Sequence, residues 1–144
     1  MSEAAVDALV AEGVLDRVPP DIAEARRELA TAETHLQGAE AAAGVDPTGA
    51  FTLAYDAARK AVVAHMRARG LRVRSRFGAH HQTGRYASAS LMASGIDEHV
   101  EAFVNMREVR NDTEYEGEIV AASDSAEALS HARAIVAIIE RDLG

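Results

Sequence analysis

Apolar side chains recur at helical spacing along most of this chain, and this repeat restricts the fold more than any other feature. Between residues 47 and 70, Phe51, Tyr55 and the alanines around them fall on one face of a helix drawn at about 100° per residue. Comparable stripes run over three further segments, residues 21–44, 96–121 and 124–143. The sequence shows no pattern typical of a strand pair, so we predict an all-α fold.

Helix-capping residues define where several of these segments begin. Asp46-Pro47 is typical of an N-cap followed by proline in the first helical turn. Pro19-Pro20-Asp21 starts the preceding helix, and Asp124 with Glu127 starts the last one. Shorter helices are expected over residues 3–12 and 85–92, with a loop over residues 78–81. We predict a single domain, residues 1–144, that forms a four-helix up-and-down bundle with an additional short helix.

One helix changes from apolar to polar on its core-facing side without a change of phase. Phe103 and Met106 belong to an apolar arc, and one turn later the same arc carries polar side chains, namely Arg107, Arg110, Asn111 and Glu114. Buried charge is unfavourable unless it is paired. This pattern therefore indicates either a structural ion network, for example Arg110 with Glu114 one turn apart, or a functional site.

Charge is distributed unevenly along the chain. The net charge is −8, yet no Asp or Glu lies between Asp56 and Asp97, an interval that holds eight of the 15 basic residues. Within it, Arg72, Arg74 and Arg76 follow the end of a predicted helix, where the helix dipole does not explain them. We therefore expect a basic surface on an acidic protein, which an anionic partner could bind.

The last helix is apolar over a wider arc than one intramolecular face needs. Ile135 and Ile138 lie beside its main stripe. This width indicates an additional contact, and we expect a homodimer.

Several classes of protein are excluded or disfavoured by what the sequence lacks. There is no cysteine, and no segment has the length and hydropathy of a signal peptide or a membrane span. Phosphate-loop, dinucleotide-binding and serine-hydrolase motifs are absent, and the histidines lack metal-ligand spacing. We expect a cytoplasmic protein without membrane contact, without a cofactor and without a bound metal.

Four stretches, in this order, resemble the HEPN domain family. They are Tyr55–Ala61, Gly70–Arg72, Gly78–His80 and Arg107–Tyr115. The hallmark of the family is an arginine, usually followed by asparagine, with a histidine about four to six residues on. Arg110-Asn111 matches its first part, but Tyr115 stands at the expected histidine position. The resemblance spans about residues 15–140.

The resemblance implies a HEPN-like bundle that forms a homodimer with its two motif helices facing each other. Active members are metal-independent endoribonucleases, so the catalytic positions would be Arg110, Asn111 and Tyr115. Arg107, Glu114, His80, His81, Arg72, Arg74 and Arg76 would then contribute to binding. Because tyrosine titrates near pH ~10, ribonuclease activity is expected to be weak or lost.

The same resemblance implies a toxin–antitoxin or defence system that acts on RNA or a nucleotide. A minimal nucleotidyltransferase is a further possible partner. Two alternatives remain open from the residues themselves. One is a non-catalytic interaction module in which the polar arc is a structural ion network. The other is an antitoxin that docks an acidic partner through its basic segment.

Overall fold

The structure, a computed structural model, describes residues 2–74, 78–92, 97–115 and 117–144, with the backbone alone for residue 2 and residues 112–115. The described chain is 79% helical, which confirms the all-α class, and it also contains one small sheet. Its elements in chain order are α1 (Ser2–Ala11), β1 (Leu15–Arg17), α2 (Ile22–Ala42), α3 (Pro47–Ala68), β2 (Leu71–Val73), α4 (Ala79–Leu91), α5 (Asp97–Tyr115) and α6 (Ala122–Leu143). The four longest helices correspond to the four apolar segments of the sequence.

The N-cap that the sequence predicts for α3 is confirmed, and α2 begins with a cap of the same kind. The Asp46 carboxylate accepts a hydrogen bond of 2.9 Å from the backbone N–H of Gly49, and Pro47 lies in the first turn of α3. At the start of α2, Asp21 accepts a hydrogen bond of 2.9 Å from the N–H of Glu24. Each cap satisfies a backbone donor that has no partner inside its own helix.

A short antiparallel strand pair is present, although the sequence predicts none. Leu15 of β1 lies opposite Val73 of β2, and Leu71 is buried with Leu15 in the core. Next to the pair, the N–H of Val18 donates to the carbonyl of Gly70 at 2.8 Å. Strands of three residues are too short to produce a recognisable alternating pattern, which explains the wrong prediction. The pair brings together the two ends of the α2–α3 hairpin.

Helix α4 is longer at its start than predicted. It begins at Ala79 rather than Arg85, directly after Gly78, which has a positive φ of 67°. His80 and His81 therefore lie in the first turn of a helix and not in a loop. Glycine takes this left-handed conformation without steric cost, so the chain can turn into the helix at that point.

The boundary between the last two helices also differs from the prediction. Helix α5 ends at Tyr115, well before the expected position. In the following segment Val120 is buried, and its N–H donates to the Thr48 hydroxyl at 3.0 Å. Helix α6 begins at Ala122, so Asp124 lies in its first turn and is not its N-cap. Gly117, which follows the end of α5, has a positive φ of 72°, a conformation typical of the residues just after a helix C-terminus.

Helix α3 occupies the centre of the molecule and packs against α2, α4, α5 and α6. Its buried surface consists largely of alanine, which lets neighbouring helices approach closely. On α6, Ile135 is fully buried and Ile138 packs on the same core. The wide apolar arc of α6 is thus covered within the protomer, and it no longer argues for a dimer.

Candidate functional site

The polar residues of α5 continue its buried face. Phe103 and Met106 are buried, and one turn later Arg107, Arg110 and Asn111 are half-buried. This agrees with the phase expected from the sequence. The partly buried arginines lie on a helix that packs against α3 and α4.

Aromatic side chains from three helices meet beside these arginines. Tyr55 of α3 is fully buried and stacks on Phe103 of α5, with ring centroids 5.6 Å apart and planes at 19°. The ring of His80 of α4 lies 5.7 Å from the ring of Tyr55, tilted by 48°. The early start of α4 brings His80 to this position.

The charges around His80 are predominantly positive. Its pKa is lowered first by burial and then by the positive charges of Arg59 and Arg110. Arg107 lowers it further, and among the described carboxylates only Asp56 is found to oppose this effect. His80 is therefore mainly neutral near pH 7 and lies in a local field that attracts anions. We refer to Tyr55, Arg59, His80, Arg107 and Arg110 as the arginine–histidine cluster.

The hydroxyl oxygen of Tyr55 is buried without a hydrogen-bond partner among the described residues. Nε of Arg59 is also buried, and it lies 3.6 Å from the Asp56 carboxylate, with which it forms an ion pair. Burial also raises the pKa of the Tyr55 hydroxyl, so it remains a hydrogen-bond donor. Buried polar atoms normally have a partner, so the Tyr55 hydroxyl calls for a water or a ligand atom.

A cavity of about 30 Å³ adjoins Tyr55. Its wall also includes His80, His81, Gly84, Val104 and Arg107. Such a volume accommodates about one water molecule or one oxygen atom of a ligand. The arrangement can therefore hold an oxygen between a tyrosine, a histidine and an arginine.

Four other predicted site residues belong to α4 and α5. Two of them lie near the cluster, and the side chains of the other two are outside the described residues. Asn111 follows Arg110 and is half-buried, and His81 is exposed at the edge of the cavity. Glu114 and Tyr115 belong to the last turn of α5, but their side chains lie outside the described residues.

The predicted arginines of the strand region do not belong to the arginine–histidine cluster. Arg72 on β2 and Arg74 directly after it are both exposed. The guanidinium of Arg74 pairs with Asp16 at 2.7 and 2.8 Å. Arg76 lies outside the described residues. No contact found in the described chain connects Arg72 or Arg74 to the arginine–histidine cluster.

The basic interval between Asp56 and Asp97 is largely neutralised within the protomer. Five of its residues pair with carboxylates, namely Arg59 with Asp56, Lys60 with Glu28, Arg67 with Asp21, Arg74 with Asp16 and Arg85 with Glu12. The pairs are spread over α3, α4 and the strand region. They reduce the positive potential that the sequence suggested for one basic surface.

Sequence reasoning did not assign Tyr55 and Arg59 to the site. In the sequence Tyr55 belongs to the apolar stripe, and Arg59 follows it by one turn on the same face of α3. A tyrosine and an arginine on the buried face of a helix are a recognisable signal of a polar site, but only the packing of α4 and α5 shows what they meet.

Two further polar clusters lie elsewhere. The buried His65 hydrogen-bonds Tyr86 at 2.8 Å and Asp142 at 3.0 Å. His99 of α5 and His131 of α6 share a hydrogen bond of 2.8 Å between their Nδ1 atoms. In the described ranges, no group of three or more His, Asp or Glu side chains is arranged to hold a metal ion. None of the helices described is long and apolar enough to cross a membrane.

Comparison of the chain with models of protein families, with characterised proteins and with solved structures finds no match. The resemblance to the HEPN family thus depends on the four stretches of sequence alone and stays a prediction.

Proposed function

We propose that this protein binds RNA or a nucleotide through phosphate contacts at the arginine–histidine cluster, as a HEPN-type homodimer of a toxin–antitoxin or defence system. The main support is geometric: Tyr55, His80 and Arg107, from three different helices, line one small cavity, and the ring of His80 lies 5.7 Å from that of Tyr55. Guanidinium groups bind phosphate oxygens with two parallel hydrogen bonds, and partial burial strengthens such contacts.

The composition of the cluster favours binding over strong catalysis. A neutral imidazole such as His80 is able to accept a proton, which the tyrosine at position 115 cannot do efficiently near pH 7. Burial and the arginines lower the pKa of His80, which weakens it as a base. We therefore expect weak or no metal-independent ribonuclease activity, and any activity present should depend on His80.

Binding is tested by substituting the arginines singly. Arg107→Gln and Arg110→Lys should each weaken the binding of a short single-stranded RNA by about tenfold or more, because the first removes a charge and the second a bidentate donor. Fluorescence anisotropy measures the dissociation constant. Arg133→Gln is the matched control, since Arg133 pairs with Glu40 at the surface between α6 and α2.

The outcomes separate this proposal from the alternatives. RNA binding that survives both substitutions contradicts a phosphate site at the cluster. If the wild-type protein binds no RNA but Arg110→Lys lowers the melting temperature by several degrees, the cluster is a structural network. Cleavage assays in the presence of EDTA, with His80→Asn as the variant, test for residual ribonuclease activity.

The homodimer is tested separately by sedimentation equilibrium. A dimer at micromolar concentration supports the HEPN-type assembly, and a monomer at about 100 µM contradicts it. Co-purification with a co-expressed nucleotidyltransferase encoded beside this gene would identify the system.

A further inference from the structure

A groove lies between α5, α6 and the segment that connects them, and we refer to it as the α5–α6 groove. Its volume is about 390 Å³, within the range of about 300–1,000 Å³ typical of small-molecule sites. Buried apolar side chains form part of its lining, namely Phe51, Met106, Val120 and Ala128. No described residue lines both this groove and the cavity at the arginine–histidine cluster, so the two spaces are separate.

Two further apolar side chains that line the groove are exposed to solvent. Val109 of α5 is 40% exposed, and Ile119 of the connecting segment is 88% exposed. They are two of the five large apolar side chains found exposed in the described chain. One exposed apolar side chain is ordinary, whereas two beside the same apolar groove form a surface that a ligand can cover.

The charges around the α5–α6 groove are negative. Glu118, Asp124 and Glu127 line it, and its described lining includes no Lys or Arg. The sequence shows the same bias on a larger scale, since six Asp and Glu but no Lys or Arg lie between Arg110 and Arg133. This interval is the acidic counterpart of the basic interval between residues 56 and 97.

The carboxylates of the groove are not neutralised within the protomer, in contrast to the residues of the basic interval. Among the described residues, no Lys or Arg forms an ion pair with Glu118, Asp124 or Glu127. The ionisable contact found there is an imidazole, because Nε2 of His131 lies 3.9 Å from the Glu127 carboxylate. The groove therefore has a negative potential that a cation can complement.

We propose that the α5–α6 groove binds a small amphipathic cation, that is, an apolar group that carries an ammonium. The apolar group packs against the side chains of Met106 and Val120, and the ammonium faces Asp124 and Glu127. This site goes beyond the proposed function, because it lies apart from the arginine–histidine cluster and takes a ligand of the opposite charge.

Charge complementarity selects this class of ligand over the others that an apolar groove can hold. An anion would be repelled by the three carboxylates, and a neutral apolar molecule would gain only the burial of its surface. A cation gains in addition roughly two- to fivefold in affinity from each exposed carboxylate. The apolar lining, in turn, distinguishes an amphipathic cation from a purely polar one.

Tryptamine, an indole with a short chain that ends in an ammonium, tests the proposal on the full chain. Tryptophol keeps the ring but replaces the ammonium with a hydroxyl, and ethylamine keeps the ammonium without the ring. Because the protein has no tryptophan, the fluorescence anisotropy of the indole ligands reports their binding directly, and calorimetry measures ethylamine. We expect tryptamine to bind about fivefold or more tightly than either of the other two.

Two variants locate the site. Asp124→Asn/Glu127→Gln changes exposed positions and should weaken tryptamine binding by about fivefold while leaving tryptophol binding unchanged. The matched control, Glu101→Gln/Glu108→Gln, removes the same charge from exposed positions of α5 outside the described lining and should change tryptamine binding by less than about twofold. Asn105→Phe fills the groove from an exposed position and should weaken the binding of both indoles by about tenfold.

Three results overturn the proposal. If tryptophol binds as tightly as tryptamine, the groove does not recognise the charge. If tryptamine binding is unchanged in Asn105→Phe and in Asp124→Asn/Glu127→Gln, the ligand binds elsewhere. If no tryptamine binds up to about 10 mM, the groove does not hold such a cation, and self-association that Asn105→Phe abolishes in sedimentation equilibrium would show that a second copy covers it. RNA binding in Arg107→Gln is measured independently, so failure here leaves the proposed function unaffected.

Discussion

At the scale of single residues, Tyr55 combines a well-packed ring with an unsatisfied hydroxyl. Its ring stacks on Phe103, whereas its hydroxyl oxygen is buried with no hydrogen-bond partner in the described chain. An unsatisfied buried hydroxyl costs roughly 1–3 kcal/mol. Such a cost is typical of a residue whose partner is a ligand or a bound water.

Tyr55→Phe should therefore leave the protein at least as stable as the wild type, or stabilise it by about 1 kcal/mol. The ring is kept and only the unpaired hydroxyl is lost. The same variant should bind RNA or a nucleotide less tightly by about five- to tenfold. Urea denaturation and calorimetry measure the two effects. A loss of more than about 2 kcal/mol of stability would show instead that the hydroxyl has a structural partner.

The sequence predicted the arginines of the site better than it predicted their neighbours. The positions of Arg107 and Arg110 on α5 follow from helical phase, which depends only on residue spacing. Tyr55, Arg59 and His80 join them through the packing of three helices, which spacing along one helix cannot reveal. His80 was also expected in a loop, and its position depends on where α4 begins.

At the scale of elements, one hydrogen-bonded network, buried at its histidine and tyrosine, connects three helices. His65 of α3 contacts the Tyr86 hydroxyl through Nδ1 and the Asp142 carboxylate through Nε2. Because the carboxylate accepts, Nε2 donates, and Nδ1 then accepts from the tyrosine. The network thus joins α3 to α4 and α6 and fixes the neutral tautomer of His65.

This network makes stability depend on pH. Burial, and then Arg69, lower the pKa of His65, although Asp142 opposes the shift. Below pH ~6.5 the unfolded chain binds a proton that the folded chain resists, so stability is lost as pH falls. Denaturation at pH 8, 6.5 and 5.5 should show this decline. It should be smaller in His65→Asn, which should also be less stable by about 2 kcal/mol at pH 8. If stability falls by the same amount with pH in the wild type and in His65→Asn, the protonation of His65 is not the cause of the decline.

Local signals predicted some elements and missed others for identifiable reasons. Asp21 and Asp46 act within four residues of their own helices, so their capping role is visible in the sequence. The end of α5 has a local signal, Gly117 with a positive φ, which the prediction did not use. The β1–β2 pair depends instead on contacts between segments that are distant in the sequence. Such contacts between distant residues produce no recognisable pattern among neighbouring residues of the sequence.

At the scale of the whole molecule, the net charge of −8 limits how nucleic acid can bind. Five basic residues of the interval between Asp56 and Asp97 are paired internally. Long-range attraction is therefore small, and the arginine–histidine cluster must act over a short distance.

RNA binding should therefore depend only weakly on salt. Contact with one to three phosphates gives a slope of log K against log salt of about −0.7 to −2 for a single strand. Anisotropy titrations between about 50 and 300 mM salt measure this slope. A slope steeper than about −4 would indicate an extended basic surface, as in the docking alternative.

The strand pair has a consequence for the order in which the molecule can assemble during synthesis. Arg17 of β1 pairs with Leu71 of β2, a residue that the ribosome adds about 3 to 11 s later at about 5–20 residues per second. Until then β1 has no strand partner, and α1 lacks α4, against which it packs. Helix α1 can therefore reach its final packing only after the α2–α3 hairpin and α4 have been synthesised. A nascent chain halted before residue 79 would hold the central hairpin but leave α1 without its packing partner.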